Sequence, residues 1–129
     1  MKILLVGGSK SGKSSVGQEI CRRLAAGGPM IYWATMESVD EEDDARIARH
    51  IKDREGMGFV TLEKGRDVAS VSVPADASIM FDSVTALLGN EMFSDEVDEG
   101  AGERVAGELL ALGKRCANLI CVCDEIWRD

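Results

Sequence analysis

Gly7-Gly8-Ser9-Lys10-Ser11-Gly12-Lys13-Ser14 follows the apolar run Ile3-Leu4-Leu5-Val6 and opens a segment, Lys13 to Ala26, with Val16, Ile20 and Leu24 at helical spacing. The octapeptide fits G-x-x-x-x-G-K-[ST] at every fixed position, and that motif requires a strand before it and a helix after it. The glycines let the backbone curl so that its N–H groups converge on phosphate oxygens, reinforced by the positive end of the helix. Lys13 would reach the β- and γ-phosphates, and the Ser14 hydroxyl would ligate Mg²⁺. All eight residues are therefore expected to bind a nucleotide, ATP or GTP.

Outward from this turn, the sequence alternates strand and helix. Ile3–Val6 reads as a buried parallel strand, and Gly27-Gly28-Pro29 stops the first helix. Met30–Ala34 is a second strand, completing a strand–helix–strand crossover. Acidic residues crowd Glu37–Asp44 and basic ones follow at Arg46, Arg49, Lys52 and Arg54, which suits the dipole of a helix over Asp40–Arg54. Phe59–Leu62 reads as a short strand, while Arg66–Val73 is ambiguous between helix and strand. Ser78–Asp82 is a buried strand, with a helix over Ser83–Phe93 and an exposed acidic loop over Ser94–Gly102. Val105, Leu109, Leu112 and Cys116 mark a helix over Arg104–Ala117, and Leu119–Cys123 is a last buried strand. The expected architecture is a three-layer α/β, P-loop nucleoside triphosphate hydrolase-like fold on a mainly parallel sheet.

With 129 residues the chain is expected to form a single nucleotide-binding domain, residues 1–129, with no room for a second. Hydrophobic residues at 45% and charged ones at 29% are enough to build a core. The net charge of −8 disfavours an electrostatic grip on nucleic acid or an anionic membrane, so a polyphosphate must be held by a local device. No apolar run approaches the ~18 residues of a membrane span, and the start is too short for a signal peptide, so the cytoplasm is expected. Cys21, Cys116, Cys121 and Cys123 form no C-x-x-C pair and read as small buried hydrophobes rather than a zinc site.

Asp82 closes its strand where such folds place a second magnesium-side carboxylate, although it could instead cap the helix that follows. Asp124 and Glu125 stand at the same edge, poised between metal or substrate contact and a solvated chain end. Arg46, His50 and Arg54 recur at i, i+4 and i+8, along one helix stripe beside Ile47 and Ile51. Stacked like charges cost a few tenths of a kcal/mol each unless an anion sits among them, and Asp43 relieves only part of this. The stripe is either a solvated basic face or a phosphate site in which His50, the only histidine, is a nucleophile between two charge-neutralising guanidinium groups.

The opening Gly-Gly-x-x-Ser-Gly-Lys-Ser, Ala34-Thr35, Ala45-Arg46-Ile47-Ala48-Arg49-His50 with Arg54, Thr61-Leu62-Glu63, and Asp82-Ser83-Val84-Thr85 with Asn90 together resemble one family. It is that of the bifunctional adenosylcobinamide kinase/adenosylcobinamide-phosphate guanylyltransferases of cobalamin biosynthesis. The resemblance implies phosphorylation of the aminopropanol hydroxyl of adenosylcobinamide. It further implies transfer of GMP from GTP to the histidine matching His50 and on to the phosphorylated cobinamide. Arg46, Arg54 and Lys13 would serve that chemistry, Ser14 and Asp82 would hold Mg²⁺, and Glu63 would contact guanine or ribose. A homo-oligomer, often a trimer with the histidine helix near a subunit boundary, is implied as well.

Some positions depart from the family. Glu55 and Phe59 stand where it has Pro and Trp, and Asp124-Glu125-Ile126-Trp127 where it has Asn-Glu-Val-Gly. Family sequences also continue beyond the last strand seen here, so the chain is either a short branch or lacks the family's carboxyl-terminal portion. The competing readings are a plain small-molecule kinase without guanylyl transfer, and a nucleotide-binding subunit with reduced catalysis.

Overall fold

In the computed structural model, which describes residues 1–8, 12–37, 40–94 and 96–124, each apolar run becomes a strand. The strands are β1 (Lys2–Gly7), β2 (Met30–Ala34), β3 (Phe59–Glu63), β4 (Ser78–Asp82) and β5 (Asn118–Asp124). They form a five-stranded sheet in the order β1-β5-β4-β2-β3, with every pairing parallel. Among the described residues four α-helices lie between them: α1 (Lys13–Ala25), α2 (Glu41–Glu55), α3 (Val84–Met92) and α4 (Ala101–Arg115). This is the α/β fold on a parallel sheet that the sequence predicts.

Alternation along the strands builds two cores, one on each sheet face. Trp33, Ile79, Phe81, Leu119 and Cys121 point to the face covered by α3 and α4, where Leu87, Val105 and Leu112 are buried against them. Tyr32, Met80, Ile120 and Val122 point the other way, onto Cys21, Ile20 and Leu24 of α1. Gly17 permits the close seating of α1 on β4, because a Cβ there would lie 2.6 Å from Cε of Met80.

Helix α2 is set by its ends. The Asp40 side chain accepts from the Asp43 N–H at 2.8 Å, Glu41–Asp44 fill the first turn, and Lys52 and Arg54 lie in the last. Ser83 caps α3, accepting from the Ala86 N–H at 3.1 Å. Asp82 therefore does not cap that helix, because Ser83 occupies the capping position.

Several expectations need correction. β1 is an edge strand of the described sheet rather than a buried one: among the described residues it pairs only with β5, and Leu4 and Val6 are 61% and 53% exposed. An apolar run of this length reads the same whether one or both neighbours are present. Val16 is exposed, and the buried side of α1 runs through Gly17, Ile20, Cys21 and Leu24, one residue round the helix from the predicted stripe. The stretch 66–73 is neither helix nor strand beyond a single 3-10 turn at Val68–Ser70, which buries Val68 under α4. The acidic loop is shorter than predicted, since α4 starts at Ala101 rather than Arg104. There the Gly100 N–H bonds Asp98 at 2.9 Å and the Arg104 N–H bonds the Gly100 carbonyl.

The cysteines are all free, and Cys21, Cys116 and Cys121 are buried in the two cores. Burial pushes the Cys21 thiol up to about 11 and the Cys121 thiol up to about 12, and raises that of Cys116. Because the thiolate is the reactive form, Ellman's reagent at pH 8 should titrate at most Cys123 in the native protein and all four thiols after denaturation. Rapid native labelling of Cys21 or Cys121 would contradict this core.

Candidate functional site

Parallel pairing brings the carboxyl ends of the strands to one edge, where ligands of open α/β sheets bind. The register sets Gly7 beside Asp124, and Ala34 between Asp82 and Glu63. Above that edge lies a cleft of about 630 Å³ walled by α1, α2 and the strand ends. Ser14, Asp82, Arg46, His50, Arg54 and Glu63 all line it, so the head of α1 and the histidine stripe face one space.

The described part of the glycine turn comprises Gly7, Gly8 and Gly12; the expected contacts of Ser9, Lys10 and Ser11 lie outside the described residues, as does Glu125. Gly12 has φ of 83°, a left-handed conformation that glycine adopts without strain, and it is where the turn enters α1. The Lys13 ammonium pairs with Asp124 at 2.6 Å and donates to the Gly8 carbonyl at 2.9 Å. Asp124 is held in turn, its N–H donating to Thr85 Oγ1 at 2.8 Å.

Ser14 and Asp82 meet through Tyr32. The phenol donates to Oδ2 of Asp82 and lies 3.3 Å from Oγ of Ser14. Burial, with Asp82 beside it, pushes the Tyr32 hydroxyl up to about 12, so it keeps its proton and remains a donor. Ser14 and Asp82 also line one hollow with Lys13 and Asp124, and a hydroxyl and a carboxylate there form a hard oxygen donor pair of the kind that Mg²⁺ takes. Among the described residues no group of three or more His, Cys, Asp or Glu could hold a metal by itself. Any cation here would take the rest of its shell from phosphate and water, as Mg²⁺ commonly does.

On α2 the three predicted residues do face the cleft, but in different settings. Arg46 pairs with Asp43 at 2.7 Å on the surface, and His50 is exposed. Arg54 is only 7% exposed and lays its guanidinium over the Tyr32 ring, 3.8 Å from the centroid. Its Nε is buried without a hydrogen-bond partner. Glu63 is exposed at the end of β3.

A hydrogen-bond frame fixes the floor. Thr35 is fully buried; its Oγ1 accepts from the Ser83 N–H and donates to the Ser83 carbonyl, both at 2.8 Å, and its N–H donates to the Asp82 carbonyl. Nδ2 of Asn90 donates to the carbonyls of Thr35 and Gly65 at 2.8 and 3.0 Å. Thr35, Ser83, Thr85 and Asn90 stood in the sequence only as points of resemblance. Sequence reasoning misses Tyr32, although a phenol inside the otherwise apolar strand Met30–Ala34 needs a partner and so points to a polar site.

Five parallel strands between helices, with a glycine turn, lysine and serine heading the first helix, define an α/β protein of the P-loop nucleoside triphosphate hydrolase-like class. A profile of the cobinamide kinase / cobinamide phosphate guanyltransferase family matches residues 3–128, nearly the whole chain, and the protein belongs to that family. Among individually curated proteins none matches the chain.

Replacing Thr35 by valine keeps the shape and leaves the Ser83 N–H without a partner, while the Ser83 carbonyl keeps the Leu87 N–H at 3.1 Å. At about 1–3 kcal/mol for one buried polar group left unsatisfied, the variant should lose that much stability in urea denaturation. A loss below about 0.5 kcal/mol would show that water reaches this floor.

Proposed function

We propose that the protein is a nucleotide-dependent transferase of cobalamin biosynthesis with two activities. In the first, a nucleoside triphosphate, ATP or GTP, phosphorylates the aminopropanol hydroxyl of adenosylcobinamide. In the second, an imidazole nitrogen of His50 attacks the α-phosphorus of GTP, the bond to the β-phosphate oxygen breaks, and pyrophosphate leaves. A phosphate oxygen of adenosylcobinamide phosphate then attacks the histidine-bound GMP. The N–P bond breaks, giving GDP-cobinamide and a free imidazole. The covalent intermediate divides one hard transfer into two easier ones.

The observation that carries this reading is that His50, Arg46 and Arg54 line the same cleft as Ser14 and Asp82 in a chain of this family. Gly7–Ser14 would cradle the phosphates, with Lys13 exchanging Asp124 for phosphate oxygens. The buried, unpartnered Nε of Arg54 favours an anion beside it, since an uncompensated buried charge is costly. Arg46 would neutralise charge on the attacked phosphate, and Glu63 would contact guanine or ribose. Ser14 and Asp82 would hold Mg²⁺, which supplies charge neutralisation on the phosphates when bound. The same reading carries a cytoplasmic homo-oligomer, a trimer in many family members. Among the described residues no helix is long and apolar enough to cross a membrane, and the exposed Leu4, Val6, Phe93 and Val97 favour association.

Incubation with GTP labelled at the α-phosphate should give an acid-labile label on the protein, absent from His50→Asn and released by adenosylcobinamide phosphate. Turnover of adenosylcobinamide with γ-phosphate transfer and no protein label would leave a plain kinase. Tight nucleotide binding with no turnover would leave a binding subunit.

A further inference from the structure

Tyr32 is the only tyrosine in the chain, and it stands between the two halves of the cleft. Its hydroxyl touches both Ser14 Oγ and Asp82 Oδ2, and its ring face carries the guanidinium of Arg54, one helical turn from His50. The residue is 3% exposed, and Phe59 packs edge-on against it with ring centroids 5.9 Å apart, which restricts the ring. Neither contact is needed to fill the core: a phenylalanine would pack the same volume, and a solvated lysine or arginine could end α2. Taken together, the two contacts tie the head of α1 and the end of β4 to the last turn of α2.

We propose that Tyr32 is a positioning residue that couples the cation site to the histidine helix: its hydroxyl turns Asp82 toward Ser14, and its ring holds Arg54 in the cleft. The inference rests on the proposed cation role of Ser14 and Asp82. A carboxylate at a strand end has free rotation about its side chain, and a charge-assisted hydrogen bond from a buried phenol removes it. That bond engages Oδ2 and leaves the other oxygen to a cation. The planar guanidinium of Arg54 gains a cation–π contact while its polar edge stays directed to the cleft. Tyr32 would touch neither the nucleotide nor the reacting atoms.

Tyr32→Phe separates the hydroxyl from the ring, and Tyr32→Leu removes both. Mn²⁺ binding followed by electron paramagnetic resonance, with a non-hydrolysable GTP analogue bound, should weaken about ten-fold in Tyr32→Phe, the scale of one lost hydrogen bond to a charged group. The thermal midpoint should fall by a few degrees at most, the loss of the same bond from the fold. Mn²⁺ should also broaden the single tyrosine ring resonance of the wild-type protein. In the α-labelled GTP assay at saturating Mg²⁺, Tyr32→Phe should form adduct near the wild-type rate, whereas Tyr32→Leu should fall at least ten-fold.

Mn²⁺ affinity unchanged in Tyr32→Phe, or a tyrosine resonance that Mn²⁺ leaves sharp, would overturn the cation half of the proposal. Equal adduct rates in Tyr32→Phe and Tyr32→Leu would overturn the ring half. If the wild-type protein forms no adduct, the guanylyl reading of His50 fails on its own. The ring half is then decided by the NMR signal of the Arg54 side chain, whose ring-current shift should persist in Tyr32→Phe and vanish in Tyr32→Leu.

Discussion

Every chemical feature of this protein depends on the parallel pairing of β4 with β2 on one side and β5 on the other. Parallel strands deliver all their carboxyl ends to one edge, so the turn after β1, Asp82, Asp124, Thr35 and Glu63 arrive together although they span most of the sequence. The buried hydroxyl of Thr35 then locks the segment after β2 to the segment after β4 through both backbone groups of Ser83. Without that lock the Asp82 carboxylate would sit on a free loop. With it, Asp82 has a fixed backbone, and only its side chain needs aim.

The edge is a conflict of charges. Three carboxylates, Asp82, Asp124 and Glu63, end strands at one edge of the sheet in an acidic chain, an arrangement that repels polyphosphate. Local devices counter it. The Lys13 ammonium neutralises Asp124 at 2.6 Å, the head of α1 contributes its dipole, and α2 brings Arg46 and Arg54 over the same space. Arg54 is the costly element, since its guanidinium is withdrawn from water with Nε unpaired and a tyrosine face as its main support. A buried cation held this way is more readily explained by the ligand it meets than by the stability of the fold.

The sequence announced the strands, the four helices and the head of α1, because each rests on local pattern: an apolar run, a capping residue, a glycine turn. It also put Arg46, His50 and Arg54 on one stripe, which the structure turns to the cleft. What it missed is not local. That β1 lies at an edge depends on which strands pair, and that information is spread over residues more than a hundred positions apart, such as Lys2 and Leu119. Arg54 and Tyr32 lie on different elements, α2 and β2, and nothing in either neighbourhood foretells a stacked pair. Asp82 could be read as a cap or as a ligand. The choice is decided by Ser83 taking the capping bond and by Tyr32, 50 positions away, donating to Asp82.

The central claim is that the head of α1 and the histidine stripe of α2 form one nucleotide site. It is tested most directly by backbone amide NMR during titration with Mg²⁺ and a non-hydrolysable GTP analogue. Saturable shifts at Gly7–Ser14, Tyr32, Asp82 and Asp124 together with His50–Arg54, all following one binding curve, are the predicted result. Shifts confined to the glycine turn with α2 unmoved, or two curves of different affinity for the two regions, would contradict it.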